Sequence, residues 1–249
     1  NSSEAQEAAR EGFISCIGSG RVNSALKIKE TFNLSENFIN SSEAQEAARE
    51  GFISCIGSGY IDIALKVREA LNLPEEIINS SEAQEAAREG FISRIKIGFA
   101  NDALKVKETF NLSEDFIQKI AREGFISHIK NRSVDDAFEI KEKFHLPEEF
   151  IQKAAQEGFI SCIKDEYISN ALEIKEKFHL PEEFIQKAAQ EEFISHIKDG
   201  YVNTALEIKE KFNLSLEEFI NSSEAQEAVQ EKFISHIKNG YVDNALEIK

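Results

Sequence analysis

The sequence predicts an all-α protein, a right-handed superhelical α-solenoid of about seven helix-turn-helix repeats. The stretch SSEAQEAAREGFISCIGSG at 2–20 returns letter for letter at 41–59, and SSEAQEAAREGFIS returns at 80–93. The position before each Phe-Ile-Ser recurs as Gly12, Gly51, Gly90, Gly124, Gly158, Glu192 and Lys232, in steps of 34 to 40 residues. A period in the mid-thirties is that of a two-helix unit. Every copy also carries apolar residues at helical spacing.

Taken in order, the units fall at 2–40, 41–79, 80–112, 113–146, 147–180, 181–214 and 215–249, one continuous array. In the first helix of a unit (helix A), Ala9, Phe13 and Ile17 follow i, i+4, i+8 and form a core-facing stripe. Ala8, Gly12 and Ser15 make a second face of small side chains. Two buried faces require two neighbours, and stacked copies supply them where a lone hairpin cannot. Phe13, Phe52, Phe91, Phe125, Phe159, Phe193 and Phe233 are then the spine of the core. A turn follows near Gly20, Gly59, Gly98, Gly200 or Gly240. In the second helix (helix B), Ala25, Ile28 and Phe32 lie at i, i+3, i+7 beside Val22 and Leu26, with Lys27 and Glu30 left to water.

The boundaries agree with the periodicity. Pro74, Pro147 and Pro181 each precede Glu-Glu, which suits Pro in the first turn of a helix with carboxylates near its positive end. Ser35, Ser113 and Ser215 take the same place elsewhere and can cap. Segment 147–164, PEEFIQKAAQEGFISCIK, reads as one uninterrupted helix. In the long units Asn40-Ser41-Ser42 breaks that run, and Ser42 with Gln45 three residues on is expected to form a capping box. Long units therefore carry an extra short helix, LSENFIN or LPEEIIN, and the break returns at Asn221-Ser222-Ser223. Neither end of the array shows the polar capping element of a solenoid, so the chain reads as part of a longer protein.

Composition narrows the setting. The net charge is -16, which at long range favours basic or neutral partners over phosphate backbones and anionic lipid. Cys16, Cys55 and Cys162 are odd in number and form no CxxC pair, which suggests a reducing, intracellular and cytoplasmic location. No apolar run reaches the roughly 18 residues needed to span a bilayer, and no signal-like segment opens the chain.

The segments GRVNSALKIKETFNL at 20–34 and GYVNTALEIKEKFNL at 200–214 resemble the turn and second helix of tetratricopeptide and pentatricopeptide repeats, with Gly five residues before Ala. The resemblance covers the helix-turn-helix part of each unit, more weakly where Arg132 or Glu166 replaces the Gly. It implies a similar architecture and a binding role. The 39-residue units fit neither family, and the contact residues of those families are not carried over.

Columns of equivalent positions supply the candidate site residues. Helix A offers a polar stripe with Glu11, Glu50, Glu89, Glu123, Glu157, Glu191 and Glu231. Ser15, Ser54, Ser93, Ser127, Ser161, Ser195 and Ser235 lie one turn on, and Lys96, Lys130, Lys164, Lys198 and Lys238 follow in the later units. It reads either as a solvated face or as the lining of a groove that binds a protein or peptide. Arg10, Arg49, Arg88, Arg122, Gln156, Gln190 and Gln230 form the column an RNA-reading array would use, although a Glu beside it in all seven units opposes a phosphate-tracking groove.

Cys16, Cys55, Arg94, His128, Cys162, His196 and His236 form a further column. Zinc is not expected there: equivalent positions lie about 10 Å apart, whereas ligands share one centre at about 2.0–2.3 Å. His145 and His179 replace Asn33 at the helix B exit and read as turn variation. Every candidate nucleophile or base is copied several times, so no singular catalytic constellation stands out. The expected function is a non-catalytic protein- or peptide-binding scaffold without a cofactor. Single-stranded RNA binding is the alternative, and a structural spacer the third reading.

Overall fold

The computed structural model describes residues 2–214. They contain thirteen α-helices, one 3-10 segment and no strand. The first unit pairs α1 (Ser3–Gly18) with α2 (Val22–Phe32) and adds the four-residue α3 (Glu36–Ile39). The second pairs α4 (Ser42–Gly57) with α5 (Ile61–Ala70) and ends in the 3-10 segment Glu75–Asn79. Next come α6 (Ser81–Lys96) with α7 (Ala100–Phe110), α8 (Glu114–Lys130) with α9 (Val134–Phe144), α10 (Glu148–Lys164) with α11 (Ile168–Phe178), and α12 (Glu182–Asp199) with α13 (Val202–Lys211). The pairs α1–α2, α4–α5, α6–α7, α10–α11 and α12–α13 pack as hairpins, and α1, α4 and α6 stack in sequence order. Two compact units result. One is Asn1–Ser127 with Glu139–Leu146, and the other is His128–Phe138 with Pro147–Lys249.

The extra helix of the long units is present as α3 and as the 3-10 segment, and α10 runs unbroken as the sequence predicts. The caps differ by one residue from expectation. Ser41, not Ser42, is the N-cap of α4, its Oγ accepting from Ala44 N at 3.3 Å, and Ser2 and Ser80 cap α1 and α6 in the same way at 3.2 Å. Gln45 makes no capping box, because with Ser41 at the N-cap it stands one position past N3; its Nε2 instead donates to Ile39 O and to Leu71 O, both at 3.1 Å. Pro147 and Pro181 likewise stand at the N-cap rather than inside the first turn, leaving the Glu pairs as the first helical residues. Carboxylates there meet the positive end of the helix dipole.

That glutamine recurs. Gln6, Gln84, Gln118, Gln152 and Gln186 each donate from Nε2 to the carbonyl 26 residues on, at Phe32, Phe110, Phe144, Phe178 and Phe212, over 2.7–3.3 Å. The accepting residue precedes a left-handed exit: Asn33, Asn72, Asn111, His145, His179 and Asn213 all have φ near +50°. Helix A thus satisfies an end carbonyl of helix B that would otherwise lack an intrahelical partner. His145 and His179 occupy a backbone position that Asn favours.

The core follows the predicted spine. Phe13, Phe52, Phe91, Phe125 and Phe159 are fully buried and Phe193 is 6% exposed; Phe233 lies outside the described residues. The small face needs correction. Ala47, Gly51 and Cys55 are buried in α4, but Ser54, like Ser15, is exposed. The buried arc of helix A ends one position short of the serine, and the Cys/His/Arg column completes it.

Candidate functional site

The sequence-predicted stripe lies on the outward face of helix A. Glu11, Glu50, Glu89, Glu123, Glu157 and Glu191 are exposed, as are Lys96, Lys130, Lys164 and Lys198. Ser15, Ser54, Ser127, Ser161 and Ser195 are exposed as well, while Ser93 is half-buried. Glu231, Ser235 and Lys238 lie outside the described residues. The described members sit one turn apart on a rigid helix, ordered by the arc that the helix buries on its other side. Lys187 reaches Glu191 at 4.0 Å, a surface pair of the kind that contributes little.

The Arg/Gln column is also at the surface. Arg10, Arg49, Arg88 and Arg122 are exposed, and Gln156 and Gln190 are half-buried; Gln230 is outside the described residues. Arg10 lies 3.9 Å from Glu7 and stacks over Phe38 at 5.5 Å, and Arg88 pairs with Glu85 at 3.3 Å. Carboxylates on the same helix thus engage two of these guanidinium groups.

The third column is buried: Cys16, Cys55, Arg94, His128, Cys162 and His196 are each 8% exposed or less. Arg94 reaches the turn of the preceding hairpin as well as that of its own. Arg94 donates to Ser58 O, lies 3.7 Å from Asp102, and places its guanidinium carbon 4.3 Å from the ring centre of Tyr60 and 5.8 Å from that of Phe99. His128 Nδ1 is 3.6 Å from Asp136, and His196 Nδ1 is 2.8 Å from Glu192 O. Burial pushes the Cys55 and Cys162 thiols up from their usual range, which leaves them protonated and poorly nucleophilic at neutral pH. All three cysteines are free. Among the described residues no three His, Cys, Asp or Glu side chains converge on a point where a metal ion could sit. The column is a set of packing braces.

A feature that the sequence reading passed over is the residue just before helix B. It is Arg21, Tyr60, Phe99, Ser133, Tyr167 and Tyr201 in successive described units, and its backbone N–H bonds the column carbonyl five residues back, as in Tyr60 N to Cys55 O at 2.8 Å and Ser133 N to His128 O at 2.9 Å. The backbone role is the same whichever side chain is present. The rings of Tyr60, Phe99, Tyr167 and Tyr201 are 47–57% exposed, unusually so for large aromatic side chains. Arg132, in the left-handed turn position held by Gly20, Gly59, Gly98 and Gly200 in four units and by Glu166 in the next, stacks over Tyr167 at 3.5 Å and pairs with Asp165 at 3.0 Å. The signal was available in the sequence: the four tyrosines of the chain are Tyr60, Tyr167, Tyr201 and Tyr241, all in this one column.

No helix of the described residues is long and apolar enough to cross a membrane. Comparison of the chain with models of known protein families, with curated proteins and with solved structures finds no match.

Proposed function

We propose that the chain is a right-handed superhelical solenoid of the tetratricopeptide-like kind, working as a non-catalytic scaffold that binds proteins or peptides along its stacked hairpins. The observation that carries this reading is the outward stripe of helix A. Glu, Ser and, from Lys96 on, Lys recur there at the same positions and stand at the surface, while the inward polar groups are taken up by packing and by the hairpin itself. A surface with one chemical pattern repeated at a fixed period suits an extended chain with its own regular spacing of groups. Acidic net charge favours a basic ligand.

Selection of a random peptide library on the immobilised chain tests this. Wild type is expected to enrich peptides with a shared basic pattern, and Lys164→Glu/Lys198→Glu to enrich a different set with unchanged helicity. Failure to enrich any peptide removes the reading. The rival is single-stranded RNA binding through Arg49 and Arg88, which predicts salt-sensitive capture of a random RNA pool that is lost in Arg49→Glu/Arg88→Glu.

A further inference from the structure

One unit lacks a ring that the others carry. Four residues after Leu34, Leu112, Leu146 and Leu180 stand Phe38, Phe116, Phe150 and Phe184, whereas Ile77 stands four residues after Leu73. The rings of Phe38, Phe116 and Phe184 pack on the core rings of Phe13, Phe91 and Phe159 with centres 5.7–5.9 Å apart. Beside Ile77 there is instead a pocket of about 320 Å³ between α4 and the 3-10 segment, with Leu73, Pro74 and Ile77 as its apolar floor and Glu46 and Arg49 at its wall. We infer that this pocket takes a phenylalanine side chain of a basic peptide, seated beneath Arg49 as Phe38 is seated beneath Arg10. The inference rests on the peptide-binding reading for the class of partner, and on residues outside the helix A stripe for the place.

The chain itself shows what fits there. Arg10 places its guanidinium carbon 5.5 Å from the ring centre of Phe38, and Arg49 is the same residue 39 positions later in an identical stretch of sequence. Arg10 and Arg88 also pair with Glu7 and Glu85, three residues back, at 3.9 and 3.3 Å. Glu46 has the same spacing from Arg49, yet among the described residues Arg49 makes no ion pair, hydrogen bond or ring contact. Its guanidinium is exposed, unengaged and next to an apolar floor, the setting in which it attracts the face of an aromatic ring. Phe52 is fully buried without that ring, so the gap opens to the surface and leaves the core closed.

Charge selects what flanks the ring. Glu46 lines the pocket and Glu75 and Glu76 are exposed next to Pro74, three carboxylates to one guanidinium. Lysines or arginines on either side of the phenylalanine meet these carboxylates, whereas the phosphates of a nucleic acid are repelled by them. A nucleobase is flat as well, but the ring that the fold seats under the equivalent arginine is that of phenylalanine.

Amide chemical shifts of the full chain, followed by NMR during titration with a capped Lys-Lys-Phe-Lys-Lys peptide, test this. Saturable shifts are expected around Glu46–Arg49 and Leu73–Ile77. A Lys-Lys-Ala-Lys-Lys peptide of equal charge is expected to bind about tenfold more weakly, since a buried ring is lost. Ile77→Phe restores the ring that the other units carry and is expected to abolish binding with helicity unchanged. Arg49→Ala should lower affinity severalfold, and Lys164→Glu/Lys198→Glu should leave it as in wild type. If Ile77→Phe loses helicity, Arg49→Ala and the alanine peptide decide the matter. Equal affinity for the two peptides, unaltered affinity in a folded Ile77→Phe or in Arg49→Ala, or no binding of the phenylalanine peptide overturns the inference. Shifts at the pocket with polyuridylate but not with the peptide would also overturn it and give the site to a nucleobase. Library peptides whose capture depends on Lys164 and Lys198 but is untouched by Ile77→Phe would leave the scaffold reading standing and remove this one.

Discussion

The joints between successive copies of helix A differ between the 39-residue and the 34-residue units, although the same Gly-Phe-Ile-Ser marks both. Across the two 39-residue steps a β-carbon on Gly51 would overlap the carbonyl oxygen of Ile17 and lie 3.2 Å from Gly18 Cα, and one on Gly90 would overlap Ile56 O. Backbone there meets backbone. In the short units a β-carbon on Gly124 or Gly158 would meet the Cγ2 methyl of Ile95 or Ile129, with other atoms at 3.6 Å or beyond. A methyl of a buried isoleucine has taken the place of a backbone carbonyl, and it too must shift. The consequence is visible one unit later, where Glu192 fills the slot that glycine holds elsewhere and α12 packs less closely on α10 than α6 does on α4. Identical letters can therefore mark a joint that excludes any side chain and a joint that accommodates a carboxylate.

The glutamine tie separates the same regions. Gln45 and Gln84 each hold two carbonyls, one at the end of helix B and one in the segment before their own helix, Ile39 O or Ile78 O. Gln118, Gln152 and Gln186 hold one carbonyl and the glutamate four residues back. Lys107 and Lys175 add to the latter arrangement, and together with the glutamine amide they hold the Glu114 and Glu182 carboxyls below their usual range. The long units spend their glutamine on the extra helix, whereas the short units, lacking it, turn the amide to a surface charge.

The largest expected effects are common to both regions. Phe91→Ala and Phe159→Ala each remove a fully buried ring and should cost about 3–5 kcal/mol in urea unfolding; a large difference between them would mean that one region has the softer core. Next, Gly90→Ala should exceed the about 1–3 kcal/mol of ordinary overpacking, because a main-chain carbonyl moves only with its helix, and Gly158→Ala should reach the upper end of that range, because the overlapping methyl of Ile129 is buried and restricted in rotamer. Equal costs would break the distinction between the joints. Smaller still, Gln84→Ala leaves two carbonyls without their partner and Gln152→Ala leaves one. Each glutamine loses two hydrogen bonds, but one of those of Gln152 is to the exposed Glu148 carboxylate, which water can take over, so Gln84→Ala should cost more by about 1 kcal/mol.

Much of the fold was legible because apolar periodicity and exact duplication report on the same thing, the burial of one arc of each helix. Phe13 and its equivalents, the turn glycines and the break at Asn40-Ser41 all followed from spacing. Ser15 was misplaced because it stands one step past the edge of the arc, where a wheel cannot fix the limit of burial. Gln45 was misread because three residues after a serine is the spacing of a capping box, and only the tertiary path brings Leu71 O within its reach. The surfaces were less legible. Exposure of the stripe could be expected from its polarity, but Tyr60 and Phe99 read as part of a hairpin motif, and nothing local says that an aromatic ring in a turn will stand half in water. Arg94 shows the converse, a buried charge that packs against one ring close in sequence, Phe99, and one far away, Tyr60.

Glu192 offers the finest test of the difference between the joints. Burial raises its carboxyl above the usual range, with His196 and Lys164 opposing that rise. The folded chain therefore holds this proton more tightly than the unfolded chain does. The contribution to stability is fully present in acid and is lost as pH rises through the raised value. Gln at this position stays neutral at every pH, so Glu192→Gln is expected to melt higher than wild type at pH 7, and the gain is expected to shrink as pH falls towards the ordinary carboxylate range near about 4. Partial exposure screens the charge, and the shift should be small, on the order of 1–2 °C in Tm for a chain of this size. A gain that did not change with pH would show that α10 does not desolvate the carboxylate, and that the short-unit joint is open enough to leave Glu192 in water.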